Sequence, residues 1–385
     1  MRDKIKHKLK ELQDESLYRE MPSMSEGSGK YVCVDGEQYL NLASNNYLGL
    51  SEIHEIREAS ADAVMKLGTT SGASRIVTGN YSIYDELERR TAVFKKTEKA
   101  LVFNSGYAAN LAIFSSLADR HTAVFSDRLN HASIIDGITL SGAKHVRYKH
   151  NDMADLRELL EKHKDVKDKI IATDTVFSMD GDVCRLHNIV SLAEEYNALT
   201  VIDEAHAAGI FGRGRGYAHE LGLEKRVDVH MGTFSKAFAS FGAYVAGDTD
   251  IIDYLRNKGR SFIYSTSLPP AVTAASLASL NYVIKNSDIG GRLMDSADGL
   301  RHSLNRMGFD TAMSVSQIIP VIMRKNERVL LAKEFLMAKG LYVAAIRPPT
   351  VPADTARLRI SLRLDVLDET DRIVSAFEEL KKSGI

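Results

Sequence analysis

Cysteine is scarce in this chain: only Cys33 and Cys184 occur in 385 residues. Two cysteines cannot build a disulfide framework, and neither lies in a metal-spaced cluster, so a reducing cytoplasm is the simplest expected home. A dominant charge is also missing. Fifty basic residues face 51 acidic ones, for a formal net charge of -1. That balance excludes a broad nucleic-acid-binding or membrane-binding field. No stretch reaches the roughly 18 consecutive apolar residues of a membrane span. The basic start, Met1-Arg-Asp-Lys-Ile-Lys-His-Lys8, lacks the apolar core and small-residue cleavage site of a secretory signal. No strand-like run leads into Gly-x-Gly-x-x-Gly, so a dinucleotide fold has no motif support. Glu26-Gly-Ser-Gly-Lys30 lacks phosphate-loop spacing and reads as a turn. Gly212-Arg-Gly-Arg-Gly216 likewise reads as a loop.

What is present is a large apolar supply, 44% of the residues, in a chain longer than one ordinary domain. Residues 1–20 place Ile5, Leu9, Leu12 and Leu17 at helical spacing, predicting an amphipathic helix that lies on the body or on a partner subunit. Short strands follow at 31–34 and 37–42, joined by the Asp35-Gly36 turn. The small, hydroxylated segment 68–80 carries Arg75 and reads either as an anion wrap or as a linker. From about residue 100, short apolar strands alternate with helical segments, which predicts an α/β domain with a mostly parallel sheet. The chain after residue 290 mixes helices and strands as a smaller α+β lobe. The expected division is an N-terminal helix and strand segment over 1–45, a large α/β domain over 46–288, and a C-terminal α+β domain over 289–385.

Ligands of such sheets gather at the carboxyl ends of the strands. Asp203 ends the run Leu199-Thr-Val-Ile202, with His206 three residues on. His131 follows the strand Thr122–Phe125, and Gly106 opens a helix after Leu101–Phe103, offering backbone N–H groups to an anion. Lys236 sits in Gly232-Thr-Phe-Ser-Lys236, among small and apolar residues unsuited to ordinary surface duty. An amine for an aldehyde, a carboxylate for a protonated ring nitrogen and donors for a phosphate together match pyridoxal 5'-phosphate. As an alternative, Asp203-Glu-Ala-His206 is a strand-end cap or part of a metal site, although Asp and His alone are too few ligands for zinc. No metal is expected.

Ser105-Gly-Tyr-Ala-Ala-Asn110, Asn130-His-Ala-Ser133, Asp203-Glu-Ala-His206 and Gly232-Thr-Phe-Ser-Lys236, in this order, resemble the α-oxoamine synthases. These are pyridoxal-phosphate enzymes of the aspartate-aminotransferase-like fold (fold type I), which condense an amino acid with an acyl thioester and release carbon dioxide. The resemblance runs from about residue 20 to the end. It implies that Lys236 is the Schiff-base lysine, Asp203 the partner of the pyridinium nitrogen, and His206 the ligand of the ring hydroxyl with Ser178 nearby. His131 matches the histidine stacked on the ring. Gly106, Tyr107 and Thr233 match phosphate contacts, supplemented by Thr266 from the other subunit of a homodimer with shared active sites. Arg359 matches the arginine that grips a carboxylate, with Arg357 the weaker match, and Asn46 a substrate-facing position.

Within the family, Ser261–Pro270 and Ala345–Pro352 resemble members that join L-alanine to a pimeloyl thioester, on coenzyme A or on a carrier protein, in biotin biosynthesis. Members using glycine and acetyl-CoA, succinyl-CoA or a long acyl chain stay open, as does an inactive homologue acting as an assembly subunit. Two stretches depart from the family. Ala237-Phe-Ala-Ser-Phe-Gly242 stands where relatives carry a more glycine-rich run, and Ile360-Ser-Leu-Arg-Leu-Asp365 where they carry small residues and a histidine.

Overall fold

The computed structural model describes residues 1–25, 27 and 29–385. The turn expected at 26–30 therefore lies partly outside the described residues, at Glu26 and Ser28. Early elements are α1 (Arg2–Asp14), β1 (Tyr31–Val34), β2 (Glu37–Asn41), α2 (His54–Leu67) and α3 (Ser82–Lys95). The strand–helix alternation follows with β3 (Lys99–Phe103), α4 (Gly106–Leu117), β4 (Thr122–Asp127), α5 (Ala132–Ser141), β5 (Lys144–Tyr148), α6 (Met153–Lys162), β6 (Asp168–Asp174), α7 (Leu186–Glu195) and β7 (Leu199–Asp203). Beyond it lie β8 (Val229–Thr233), β9 (Ala243–Gly247), β10 (Ile318–Arg324), β11 (Leu341–Tyr342), β12 (Ala344–Ile346) and β13 (Ala356–Ser361). Longer helices also cover Pro270–Lys285, Ile289–Arg306, Asn326–Ala338 and Thr370–Lys382.

Two compact units emerge. One comprises 50–178 and 183–291; the other comprises 1–49, 179–182 and 292–385. The first holds a seven-stranded sheet in the order β3-β9-β8-β7-β6-β4-β5. Its pairs are parallel except where β9 runs against β3 and β8. β4, β8 and β9 are buried at every position, which is why they show no alternation of apolar and exposed polar residues. The two-residue period of a strand divides the side chains of β4, β6 and β7 between two cores. Ile170, Ala172, Val201 and Val245 pack with Ile113 and Phe114 of α4. Ile171, Ile202 and Phe125 pack with Leu156 of α6 and Ile189 of α7. Each fully buried Ile, Val or Phe contributes about 1.5–3 kcal/mol.

The other unit carries the three-stranded sheets β1-β2-β11 and β10-β13-β12. The N-terminal strands thus pair with chain from the far end, through the parallel contact of Leu40 with Leu341. α1 stops at Asp14, earlier than the apolar spacing suggested, and Ser16 takes a left-handed φ of 56°. None of its residues is buried, so its apolar stripe is exposed. α2 was not anticipated. Only Ile56 and Ala63 of it are buried, too few to mark a stripe in the sequence. Among the described residues, no helix is long and apolar enough to cross a membrane.

Candidate active site

The carboxyl ends of five strands in the seven-stranded sheet, with the segments that follow them, line a cavity of about 180 Å³. Gly106, Tyr107, His131, Ser133, Asp174 and Asp203 contribute to its wall, as do His206, Thr233 and Lys236. Residues some 130 positions apart in sequence converge because β3, β4, β6, β7 and β8 point the same way.

Asp203, the last residue of β7, is buried, and two donors fix its carboxylate. Asn110 Nδ2 donates to Oδ2 at 2.9 Å, and the Ala205 backbone N–H donates to Oδ1 at 2.8 Å. Lys236 follows β8, and its Nζ lies 2.8 Å from His206 Nε2. Glycine is required at position 232, because a Cβ there would stand 2.4 Å from the Tyr244 ring. Asp174, the ladder partner of Asp203 at the end of β6, brings a second carboxyl into the cavity. Burial first, then the Asp203 charge, push the Asp174 carboxyl well above its ordinary range. Its Oδ2 accepts the His131 backbone N–H at 2.7 Å, which holds the His131 loop against the sheet. Burial also holds the His131 imidazole below its ordinary pKa, against the pull of Asp203.

The anion end of the cavity is built by α4. Its Ser105 N-cap accepts the Ala108 N–H at Oγ and the Ala109 N–H at its carbonyl. The first-turn N–H groups of Gly106 and Tyr107 have no acceptor of their own within the helix, as at any helix start. The Tyr107 hydroxyl donates to Asp136, so its contribution here is the backbone N–H and a ring edge-on to His131, 6.4 Å between centroids. Thr233 Oγ1 already donates to the Gly242 carbonyl at 2.7 Å and accepts the Ser235 N–H at 3.0 Å. Its proton reaches an anion only by leaving that carbonyl. An amine, a fixed carboxylate, a neutral-leaning imidazole and free N–H donors in one cavity fit the aldehyde, ring and phosphate of pyridoxal phosphate.

A sequence profile of the class I and II aminotransferases matches residues 37–376. The chain belongs to that family. It is 45% identical over 363 residues to a Bacillus cereus protein named "Putative 8-amino-7-oxononanoate synthase", covering 94% of this chain and 92% of that one. A serine palmitoyltransferase from S. paucimobilis, solved with a bound PLP–myriocin aldimine, superposes with a TM-score of 0.94 at 30% identity, over 99% of this chain and 97% of that one. An 8-amino-7-oxononanoate synthase from Francisella tularensis gives 0.75 at 29% identity, over 90% and 99%. As a member of this aminotransferase family with α-oxoamine synthase relatives, the protein is a pyridoxal-phosphate-dependent acyltransferase of fold type I.

Of the residues singled out in the sequence, Lys236, Asp203, His206, His131, Gly106, Tyr107 and Thr233 line the cavity; Ser178 and Thr266 are not in its wall. The Thr266 carbonyl accepts Asn104 Nδ2 at 2.5 Å. Asn46 and Arg359 belong to the other unit. There Arg359 donates to Asn45 Oδ1 at 3.1 Å and to the Tyr47 hydroxyl at 3.2 Å, whereas Arg357 pairs with Asp180 at 2.5 Å. The charge of Arg357 is thereby matched within its own unit. Arg75 is likewise matched by Glu88 at 2.9 Å and lies over the Tyr84 ring, which argues against an anion wrap at 68–80. Sequence reasoning gave no role to Asp174, Asn110 or Ser133. Asn110 and Ser133 stand inside recognisable motifs, but their partners are visible only in space.

Proposed function

We propose that the protein is an 8-amino-7-oxononanoate synthase, condensing L-alanine with a pimeloyl thioester and releasing carbon dioxide. The observation that carries this reading is the 45% identity, over 94% of the chain, to the Bacillus cereus relative bearing that name. The Ala345–Pro352 segment, resembling members that use alanine and a pimeloyl donor, supports it from the sequence side.

Bound pyridoxal phosphate supplies an aldehyde for amines and a ring that takes up the electron pair left at an amino-acid Cα. In the proposed scheme Lys236 Nζ holds that aldehyde and later accepts the alanine Cα proton as general base. Asp203 keeps a proton on the ring nitrogen, and His206 with Ser178 serves the ring hydroxyl. Gly106, Tyr107 and Thr233 hold the phosphate, with Thr266 of a second copy completing the set in a homodimer. His131, which lines the cavity, would pack against the bound ring. Arg359 grips the substrate carboxylate and Asn46 faces the substrate.

The test is product mass spectrometry with alanine, glycine and serine, each paired with pimeloyl, acetyl and palmitoyl thioesters on coenzyme A and, for pimeloyl, on carrier protein. Alanine with a pimeloyl donor should give 8-amino-7-oxononanoate at the highest kcat/KM. A second reading, acylation of another amino acid by a longer chain, is favoured by the 0.94 TM-score to serine palmitoyltransferase. Preferred turnover of serine with palmitoyl-CoA would replace the first reading with the second.

A further inference from the structure

His131 holds an unusual post for a histidine. It is the N-cap of α5, and its ring Nδ1 accepts the Ser133 backbone N–H at 3.3 Å, where a hydroxyl or carboxylate oxygen normally serves. The same Nδ1 lies 2.7 Å from Ser133 Oγ. That oxygen accepts an N–H from Asn110 Nδ2 at 2.9 Å, and Asn110 Nδ2 also donates to Asp203 Oδ2 at 2.9 Å. Asn110 and Ser133 are both about 1% exposed, so water does not compete for these bonds. With a donor arriving from Asn110, the Ser133 hydroxyl is free to turn its own proton toward His131 Nδ1. A backbone N–H and a hydroxyl proton aimed at one ring nitrogen require a lone pair there. The proton of the neutral imidazole must then sit on Nε2. Among the described residues Nε2 has no partner, and the ring lines the cavity.

We propose that Ser133 and Asn110 are positioning residues that fix His131 as a neutral imidazole protonated at Nε2. The ring then meets the cavity with an N–H and not with a lone pair. A cationic ring would lose the α5 cap and would place positive charge at a helix N-terminus, where it is disfavoured. Asp203 and Asp136 favour the cation, Lys236 opposes it, and burial outweighs them. Asp174 acts on the backbone alone, through the His131 N–H.

Ring ¹⁵N NMR of histidine-labelled protein, read without cofactor or substrate, tests the proposal. The His131 signals are assigned as those missing from His131→Asn. The wild-type protein should show a single Nε2-protonated tautomer at neutral pH. Ser133→Ala and Asn110→Ala should each admit the Nδ1-protonated form and move the ring's titration midpoint upward. An Nδ1-protonated ring in the wild-type protein overturns the proposal with no variant needed, and unchanged spectra in both folded variants overturn it too. Because the measurement involves neither alanine nor thioester, a failed product assay and a failed tautomer assignment are told apart.

Discussion

Removing Lys95 is the sharpest available test of how the loop after Asp203 is held. Lys95 ends α3, and its ammonium donates to Glu204 Oε2 and to the Arg215 carbonyl; both side chains of the ion pair are fully buried. Glu204 Oε1 accepts the Ala218 N–H at 3.1 Å, and His230 Nδ1 stands 3.5 Å from Oε2. Gly216 makes room, since a Cβ there would meet Glu204 Oε1 at 2.4 Å. Burial opposes ionisation of Glu204, yet the Lys95 charge, with His230 alongside, holds it well below the ordinary carboxylate range. Lys95→Met leaves that carboxylate buried without its cation, at a cost of about 3–5 kcal/mol. Against the roughly 5–15 kcal/mol that holds a typical domain together, this is a large fraction. Lys95→Met/Glu204→Gln removes both charges while keeping an acceptor for Ala218. What then remains is the Arg215 carbonyl without its donor, about 1–3 kcal/mol. Urea denaturation at neutral pH, followed by circular dichroism, should therefore place the double variant above the single one in midpoint, with similar slopes. A single variant within about 1 kcal/mol of wild type, or a double variant no more stable than the single, would show that the buried pair does not hold this loop.

Ala239 takes a left-handed φ of 48° three residues after Lys236. Ala239→Gly removes about 1–2 kcal/mol of strain and adds about 0.4–1 kcal/mol of unfolded-state entropy. A modest net rise in melting temperature is expected, and a fall would contradict it. Burial, aided by Lys95, holds His219 down at about 3. The unfolded chain, titrating at about 6.5, takes up that proton first, so this contribution is complete above about pH 6.5 and is lost as pH falls toward 3. His219→Gln should flatten the stability profile over that window in paired denaturation series; parallel profiles would exclude the assignment. Arg359→Gln should lower kcat/KM for the amino acid about 10- to 150-fold, the equivalent of a lost charged hydrogen bond of about 1.5–3 kcal/mol. Arg357→Gln, which breaks the Asp180 pair, should be read mainly in stability. The reverse pattern would move the carboxylate grip to Arg357.

The parallel sheet was legible because β4, β6, β7, β8 and β9 are short apolar runs punctuated by polar loops. Lys236, Asp203, His206 and His131 were legible as chemistry-bearing residues just past such runs, where a buried charge needs a reason. Asp174 also ends a strand, but nothing in Asp174-Thr-Val-Phe177 distinguishes a cavity carboxyl from a turn residue. Its meaning comes from being the ladder partner of Asp203. Asn110 lies in the first turns of α4 and looks like an ordinary helix residue until Ser133 and Asp203 are brought against it. The pairing of β2 with β11 spans some three hundred residues, and no local pattern encodes it. The α1 stripe was visible, but amphipathic spacing does not tell whether a face is covered.

The most direct test of the account is to locate the cofactor-bearing amine. Protein supplemented with pyridoxal phosphate, reduced with borohydride and digested, should carry the pyridoxyl adduct on the peptide containing Lys236. Lys236→Ala should lose both the adduct and thioester-dependent product formation. An adduct on a different lysine, or normal turnover by Lys236→Ala, would contradict the account at its centre.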